Sequence, residues 1–355
     1  MQRRRCIAGV AAAGLMAVAV VASACSPDRA VRVEPERPSA QTGPVPYMIA
    51  AGNPAGATFD GGLAFLNPAV FSEGDLDSAG AVFRDDGTWV ALPAPPVRMT
   101  SGRLGVSEDG RLVLALNDCD GCTKGVVRLY VLDETGASWS EAKGAVELDR
   151  SDAGMSNVPG VGATVFSTDI GNFTLVGDEV VPVPFTPDRS LGGSTVCTSD
   201  DVVFALQSAA QNLDDPILRG PLEEELSSAW VMPRTTWEWE PASLPSSDAV
   251  GGGVCTPTGA VFLNDGVEHE YSVAEDRWSV LETGTQMSLG GMGNSSAMAA
   301  DGTLYAILDT GTVAIRTGPG VWADTGVAAI GVYRLGASVV AVELGASAPT
   351  AIPAS

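Results

Sequence analysis

The feature that most constrains this chain is a phrase it repeats: small residues, a turn carrying Asp or Gly, then an apolar run that ends polar. The copies are TFDGGLAFLN (58–67), VSEDGRLVLALND (106–118), CTSDDVVFALQ (197–207), CTPTGAVFLND (255–265) and MAADGTLYAILD (298–309), with GNFTLVGDE (171–179) as a degenerate sixth. In each, turn residues lead into an alternating run, the pattern of a hairpin feeding a strand whose two faces both meet apolar surroundings. A second element follows downstream, a tryptophan that opens another strand: Trp89, Trp139, Trp237, Trp278 and Trp322. The separations are 50, 98, 41 and 44 residues. The one doubled interval places a unit near residues 160–190 that has lost its tryptophan.

Four short strands recurring every 40 to 50 residues is the period of β-propeller blades. Six blades are marked by a turn phrase or a tryptophan. The hairpin AAIGVYRLGASVVAVELG (328–345), with the strand-like PYMIAA (46–51), supplies a seventh that joins the two ends of the domain. The expected class is therefore all-β, a propeller of seven four-stranded blades, with six as the alternative count. Two stacked β-sandwiches would not space tryptophans so evenly. LDETGASW (132–139) resembles the Asp-box of sialidase-like propellers, with Leu132 and Glu134 where that motif has serine and aspartate. YSVAEDRW resembles the kelch phrase, and the resemblance implies that Tyr271 and Trp278 occupy successive strands of one blade.

Composition supports this class and removes others. With 42 Gly and 23 Pro the chain has too many breakers for a helical bundle, and a hydrophobic fraction of 45% over 355 residues suffices for a large core. The formal charge is −23, and Lys124 and Lys143 are the only lysines, so the clustered cations that a phosphate backbone needs are missing and nucleic acid is not an expected partner.

The amino terminus carries an address. Arg3, Arg4 and Arg5 precede an apolar run from Ile7 to Val21 and the small residues Ala22, Ser23 and Ala24, which reads as a secretory signal too short for a comfortable membrane span. Ala22-Ser23-Ala24-Cys25 resembles the bacterial lipobox, which implies a lipidated Cys25 as the mature amino terminus; Ala22 departs from the more usual Leu or Val. Ordinary cleavage with an incidental thiol is the alternative. The arginine-rich, lysine-poor usage resembles that of actinobacteria. Residues 26 to about 46 hold five prolines and few large apolar side chains, as a tether does. The expected organisation is a signal peptide over 1–24, a lipid-anchored tether over 25–45 and a propeller over 46–350, held on the outer face of the cell membrane as a monomer.

Export places the body cysteines in an oxidising compartment, and their even number suggests two disulfides. Cys197 and Cys255 occupy the same position of the repeat, where consecutive blades approach near the axis, so they are paired; Cys119 and Cys122 share one loop and are paired locally as a staple rather than a redox centre. Asp118 and Asp120 lack the rest of a calcium loop. No metal or cofactor is expected. One histidine, His269, excludes copper sites needing two, and no Arg-Ile-Pro, GxSxG, HExxH, Walker or dinucleotide phrase occurs.

The longest departure from the repeat is 207–230. Its apolar Ile217, Leu218, Leu222 and Trp230 lie among the acids Asp214, Asp215, Glu223, Glu224 and Glu225, a mixture suited to an apolar anchor within a charged rim, and from Pro221 it could open a short helix. Capping a blade and burying Trp230 is the plainer reading. The expected function is a non-enzymatic, membrane-tethered module that binds a protein or cell-envelope carbohydrate. An exported carbohydrate hydrolase or lyase, with carboxylates in the central channel, is the competing class.

Overall fold

The computed structural model describes residues 56–66, 78–94, 96–97, 101–118, 125–148, 156–157, 163–168, 171–184, 194–199, 201–208, 226–245, 253–264, 266–283, 295–344 and 346–353. The regular elements among them are all strands, and they assort into seven antiparallel blades in chain order. Blade 1 holds β1 (Gly56–Phe59), β2 (Gly62–Leu66), β3 (Gly80–Phe83) and β4 (Trp89–Ala91). Blade 2 holds β5 (Ser101–Val106), β6 (Leu112–Asp118), β7 (Gly125–Leu132), β8 (Trp139–Glu141) and β9 (Val146–Leu148). β8 and β9 both pair with β7, at its two ends, so they are two pieces of a single outer strand. Blade 3 holds β10 (Ser156–Asn157), β11 (Phe166–Thr168), β12 (Gly171–Val176) and β13 (Glu179–Val183). Blade 4 holds β14 (Ser194–Thr198), β15 (Val202–Ser208), β16 (Leu226–Pro233) and β17 (Glu240–Ala242), and blade 5 holds β18 (Gly253–Thr256), β19 (Gly259–Asn264), β20 (Val267–Ser272) and β21 (Arg277–Glu282). Blade 6 holds β22 (Ser296–Met298), β23 (Leu304–Ile307), β24 (Thr312–Gly318) and β25 (Val321–Ala328); blade 7 holds β26 (Gly331–Leu335), β27 (Ser338–Val342) and β28 (Thr350–Ala351).

Period-two alternation builds the ring. In β6, Leu112, Leu114 and Leu116 point into a cluster shared with blade 1, while Val113 and Ala115 point the other way into a cluster shared with blade 3. Each strand thus serves two cores, which is why the second strands read as continuous apolar runs rather than half-polar ones. Among the described residues the clusters number seven, one per interface. Val165 and Val183 meet Val203 and Met232 between blades 3 and 4, and Phe204 meets Phe262 and Tyr271 between blades 4 and 5. Val261 and Leu263 meet Leu304 across the next interface, and Ile315 meets Val332 and Val339 across the one after. The ring closes where Tyr333 and Val340 of blade 7 pack on Leu63 and Phe65 of blade 1.

A second, polar system runs around the rim. The indole N–H of Trp139 donates to the Pro93 carbonyl (3.2 Å), that of Trp239 to Pro184 (2.8 Å) and that of Trp278 to Ser243 (2.7 Å). Each acceptor lies just after the outermost strand of the preceding blade, so the end of one outer strand is bolted to the start of the next. Trp89 donates instead to the Ser347 carbonyl (3.3 Å), which lies between β27 and β28 of blade 7. Blade 3 lacks the tryptophan, as the sequence implies, and there Lys143, between β8 and β9, takes over: its N–H donates to Asp178 and its carbonyl accepts from Val180.

Three expectations are refined. Trp237 lies in the turn between β16 and β17, at φ 55°, and Trp239 is the blade 4 counterpart of the other rim tryptophans. The degenerate phrase GNFTLVGDE spans β12 and β13, the third and fourth strands, whereas the other copies span the first and second. Blade 7 draws its third strand from Thr350 and Ala351; residues 46–51 lie outside the described residues. Tyr271 and Trp278 do face each other on adjacent strands, with ring centroids 5.1 Å apart.

Cys197 on β14 and Cys255 on β18 are joined by a disulfide, inside the cluster between blades 4 and 5 and on the innermost strand of each. Cys119 and Cys122 lie outside the described residues. Closing a loop over a sequence separation of 58 removes unfolded-state entropy equivalent to about 4 kcal/mol. Cys197→Ser is therefore expected to lower the urea midpoint substantially, and adding reductant to the wild type should reproduce that loss; equal midpoints for the two chains would contradict it.

Candidate functional site

Strand direction alternates within a blade, so its connections divide between two ends of the ring. Links from first to second and from third to fourth strands meet at one, the turn end; none there exceeds eight residues (158–165). Links from second to third strands, and from blade to blade, meet at the loop end. Five of those have ten residues or more: 67–79, 184–193, 209–225, 243–252 and 283–295. Long connections on a rigid scaffold can present side chains without disturbing the core, and here they gather at one end. The candidate residues Asp214, Asp215, Ile217, Leu218, Leu222, Glu223, Glu224 and Glu225 belong to 209–225, the longest connection, and lie outside the described residues. β16 begins at Leu226, directly after the segment assigned to a short helix. Trp230, grouped with that loop from sequence, is instead a half-buried residue of β16 that packs against the core between blades 3 and 4.

The axis is chemically plain. The seven innermost strands read GATF, SGRLGV, SN, STVCT, GVCT, SAM and GVYRL. They carry small residues and hydroxyls and no Asp or Glu, although the chain has 43 acids. Their charges are Arg103 and Arg334. Arg103 is half-buried and donates to the Gly102 carbonyl (2.9 Å); burial holds its pKa below the usual arginine value. A pair of channel carboxylates set for acid and base work is therefore not found on these strands.

The buried charges that do occur sit farther out and serve packing. Glu268 on β20 is fully buried, and its carboxylate accepts from Arg316 Nε (3.2 Å) and Nη2 (2.6 Å), the Gly320 N–H (2.9 Å) and the Trp322 indole (2.6 Å). Here the rim bolt ends on a carboxylate instead of a carbonyl. Arg316 also reaches Glu270 (2.8 Å), which alternation places on the same face of β20. Four donors satisfy Glu268, and sequence inspection missed the site because GVEHEYS (266–272) gives no sign of donors that come from the next blade. Arg234 plays a similar part between blades 3 and 4: it donates to the Ser199 carbonyl (2.7 Å), the Ala163 carbonyl and Thr198 Oγ1, and lies 5.5 Å over the Trp237 ring.

His269 alternates to the other face of β20 and is buried at 2% exposure; burial lowers its pKa below 6.5. Asp133 anchors the Asp-box-like turn, accepting from Thr135 Oγ1 (2.7 Å), the Ala137 N–H (2.9 Å) and Ser138 Oγ. The Ser138 hydroxyl, then Thr135, draw its pKa down to about 2. Thus the residue beside Glu134 performs the turn-organising role. Asp276 does the same in blade 5 at φ 43°, accepting from the Ser243 N–H and the Tyr271 hydroxyl. Burial, then Asp276, raises the Tyr271 pKa. Among the described residues no cluster of three or more His, Cys, Asp or Glu is arranged to hold a metal, and no helix is long and apolar enough to cross a membrane.

No family model matches this chain, and no curated protein matches it. Many solved structures do. BBS1N, solved in complex with ARL6DN, is similar at 13% identity and a TM-score of 0.48, over 85% of this chain and 92% of that one. PorZ, an essential bacterial surface component of the type-IX secretion system of Porphyromonas gingivalis, is similar at 13% identity and 0.47, over 84% of this chain but only 38% of PorZ. The Neurospora crassa Pan2 WD40 domain is similar at 14% identity and 0.36, over 70% of this chain and 69% of that one.

Two outcomes test the polar interior. Glu268→Gln leaves Arg316 beside a neutral, half-donating amide, and is expected to cost about 3 to 5 kcal/mol in urea unfolding, whereas Glu270→Gln, at a 39% exposed side chain, should cost less than about 1 kcal/mol. For His269 the sign follows from linkage: with the folded pKa below the unfolded one, the unfolded chain binds the extra proton, so stability is full above pH 6.5 and falls as pH drops below it. The melting temperature of the wild type should decline between pH 7 and pH 5 more steeply than that of His269→Gln; parallel curves would contradict this.

Proposed function

We propose that this chain is a membrane-tethered, extracytoplasmic propeller that binds a protein or cell-envelope ligand through the connections at the loop end of its ring. The observation that carries the reading is the asymmetry of the two ends: tight turns at one, and five connections of ten residues or more at the other. A scaffold needs none of that length for its own packing, because the seven apolar clusters already close the ring. The plain, carboxylate-free innermost strands favour binding at the end of the ring over hydrolysis on its axis.

Within this reading, the acids and apolar residues of 209–225 form the principal contact, with Ile217, Leu218 and Leu222 as anchors and Asp214, Asp215 and Glu223–Glu225 as the charged rim. Lipidated Cys25 holds the chain on the outer face of the membrane and the proline-rich tether gives it reach. The charge of −23 keeps such a domain off anionic membrane surfaces and directs it to neutral or cationic partners.

Replacing 209–225 by a short Gly-Ser linker is expected to preserve a cooperative unfolding transition while reducing capture of the native chain's envelope ligand at least about tenfold, the loss of a single anchor's worth of affinity. Undiminished capture would move the binding surface elsewhere. Separately, Cys25→Ala should transfer the protein from the detergent phase to the aqueous phase; unchanged partitioning would refute the lipid anchor.

A further inference from the structure

The outermost strand of each blade turns a row of N–H and C=O groups away from its sheet, and most of these edges are blunted. β4 and β17 are three residues long, with Pro93 shortly after the first and Pro241 inside the second. β8 and β9 are one strand broken in two. β13 carries Pro182, and Lys143 pairs along its outer side. β25 slips register twice against β24 and has Gly326 at φ 69°, and β28 is two residues long. Among the described residues β21 is the exception. All six of its residues, Arg277–Glu282, pair with β20 in one unbroken register, without proline or bulge, and no described strand lies on its other side.

We propose that the outer edge of β21 accepts an extended segment of another polypeptide as a fifth strand of blade 5, with an aliphatic residue over Val280 and a lysine or arginine beside Glu282. This surface lies on the circumference of the ring and is independent of the binding assigned to the loop end.

Antiparallel alternation shows what the edge offers. The Thr283 N–H donates to the Gly266 carbonyl (2.7 Å), one step beyond the Val267–Glu282 pair, so Leu281, Ser279 and Arg277 likewise bond β20. Trp278, Val280 and Glu282 therefore turn their N–H and C=O groups outward, and only an extended backbone can match three such residues at strand spacing. Their side chains share one face. Trp278 packs into the cluster between blades 4 and 5, and Val280 beyond it is 47% exposed. Leu244, 43% exposed, follows the Ser243 carbonyl that accepts the Trp278 indole, so a second aliphatic side chain stands beside the same bolt. Charge selects the occupant further: Arg277 is held by Glu275 (2.7 Å), whereas no described cation pairs with the exposed Glu282.

The test titrates the full-length protein with the blocked peptide KTVTVTK, whose sequence reads alike in either direction, so strand polarity need not be assumed. Fluorescence anisotropy should show saturable binding with a Kd below about 1 mM. Methylating the two valine nitrogens, which would face β21, should weaken binding at least about tenfold, and methylating the threonine nitrogens, which would face away, should not. Replacing both lysines by glutamates should weaken it as well. Val280→Pro removes an outward N–H and leaves the β20 ladder intact, so it should keep the urea midpoint while weakening binding at least about tenfold; Val280→Lys should do the same by placing a charge on the edge. No saturation by about 1 mM, or equal binding by the valine-methylated peptide, overturns the proposal. So does slow exchange of the Trp278, Val280 and Glu282 amides in the free monomer, which would mean that the chain covers its own edge, and so does dimerisation that Val280→Pro abolishes, which would make a second copy the occupant. None of these results bears on the loop end, whose replacement should leave peptide binding unchanged.

Discussion

The ring depends on each blade burying both of its faces. A strand such as β6 sends Leu114 to one neighbour and Val113 to the other, so no blade has a solvated face, and no blade can be removed without exposing two clusters. Phe65, Phe166, Phe173, Phe204 and Phe262, all essentially without exposure, mark the bulkiest points of this packing, each worth roughly 2 to 3 kcal/mol when buried. Because seven such interfaces close on themselves, the architecture removes most of the open sheet edge that a planar arrangement would leave to aggregation.

Apolar packing alone leaves register between blades loosely set, and the polar contacts at the rim supply it. An indole N–H must find an acceptor when half-buried, and it finds one at the end of the preceding outer strand in several blades. Where the pattern changes, another device appears in its place: Lys143 backbone pairing at blade 3, and the buried Glu268 carboxylate with Arg316 at blade 6. The disulfide between Cys197 and Cys255 adds a covalent tie near the axis at the interface of blades 4 and 5. These ties make the ring a rigid base for the loops it carries.

Much of this was legible in the sequence because repetition amplifies weak signals. A single TSDDVVFALQ is an ambiguous apolar run, but five copies at blade spacing define a hairpin, and equivalent placement of Cys197 and Cys255 in those copies was enough to pair them. The missing tryptophan of blade 3 was equally visible as a doubled interval. What escaped was position within the blade. Trp237 and Trp239 are two residues apart and only the hydrogen bond to Pro184 shows which one faces the neighbouring blade. Trp230 looked like part of the long loop because the repeated phrase marks the first and second strands and leaves the start of the third unmarked, yet it belongs to β16. Glu268 was invisible because a fully buried acid is recognised by its donors, which are 48 to 54 residues away.

The same geometry shapes the functional reading. Plain innermost strands, a turn end of short hairpins and a loop end of long connections set the two ends of the ring apart. The most direct test places a photo-crosslinking residue at Leu344, which is 65% exposed and follows β27 at the loop end, and at Ala137, which is exposed in the turn between β7 and β8 at the turn end. In the full-length protein on intact cells, the account predicts adducts with the ligand from Leu344 and none from Ala137. Adducts from Ala137 with none from Leu344 would contradict it.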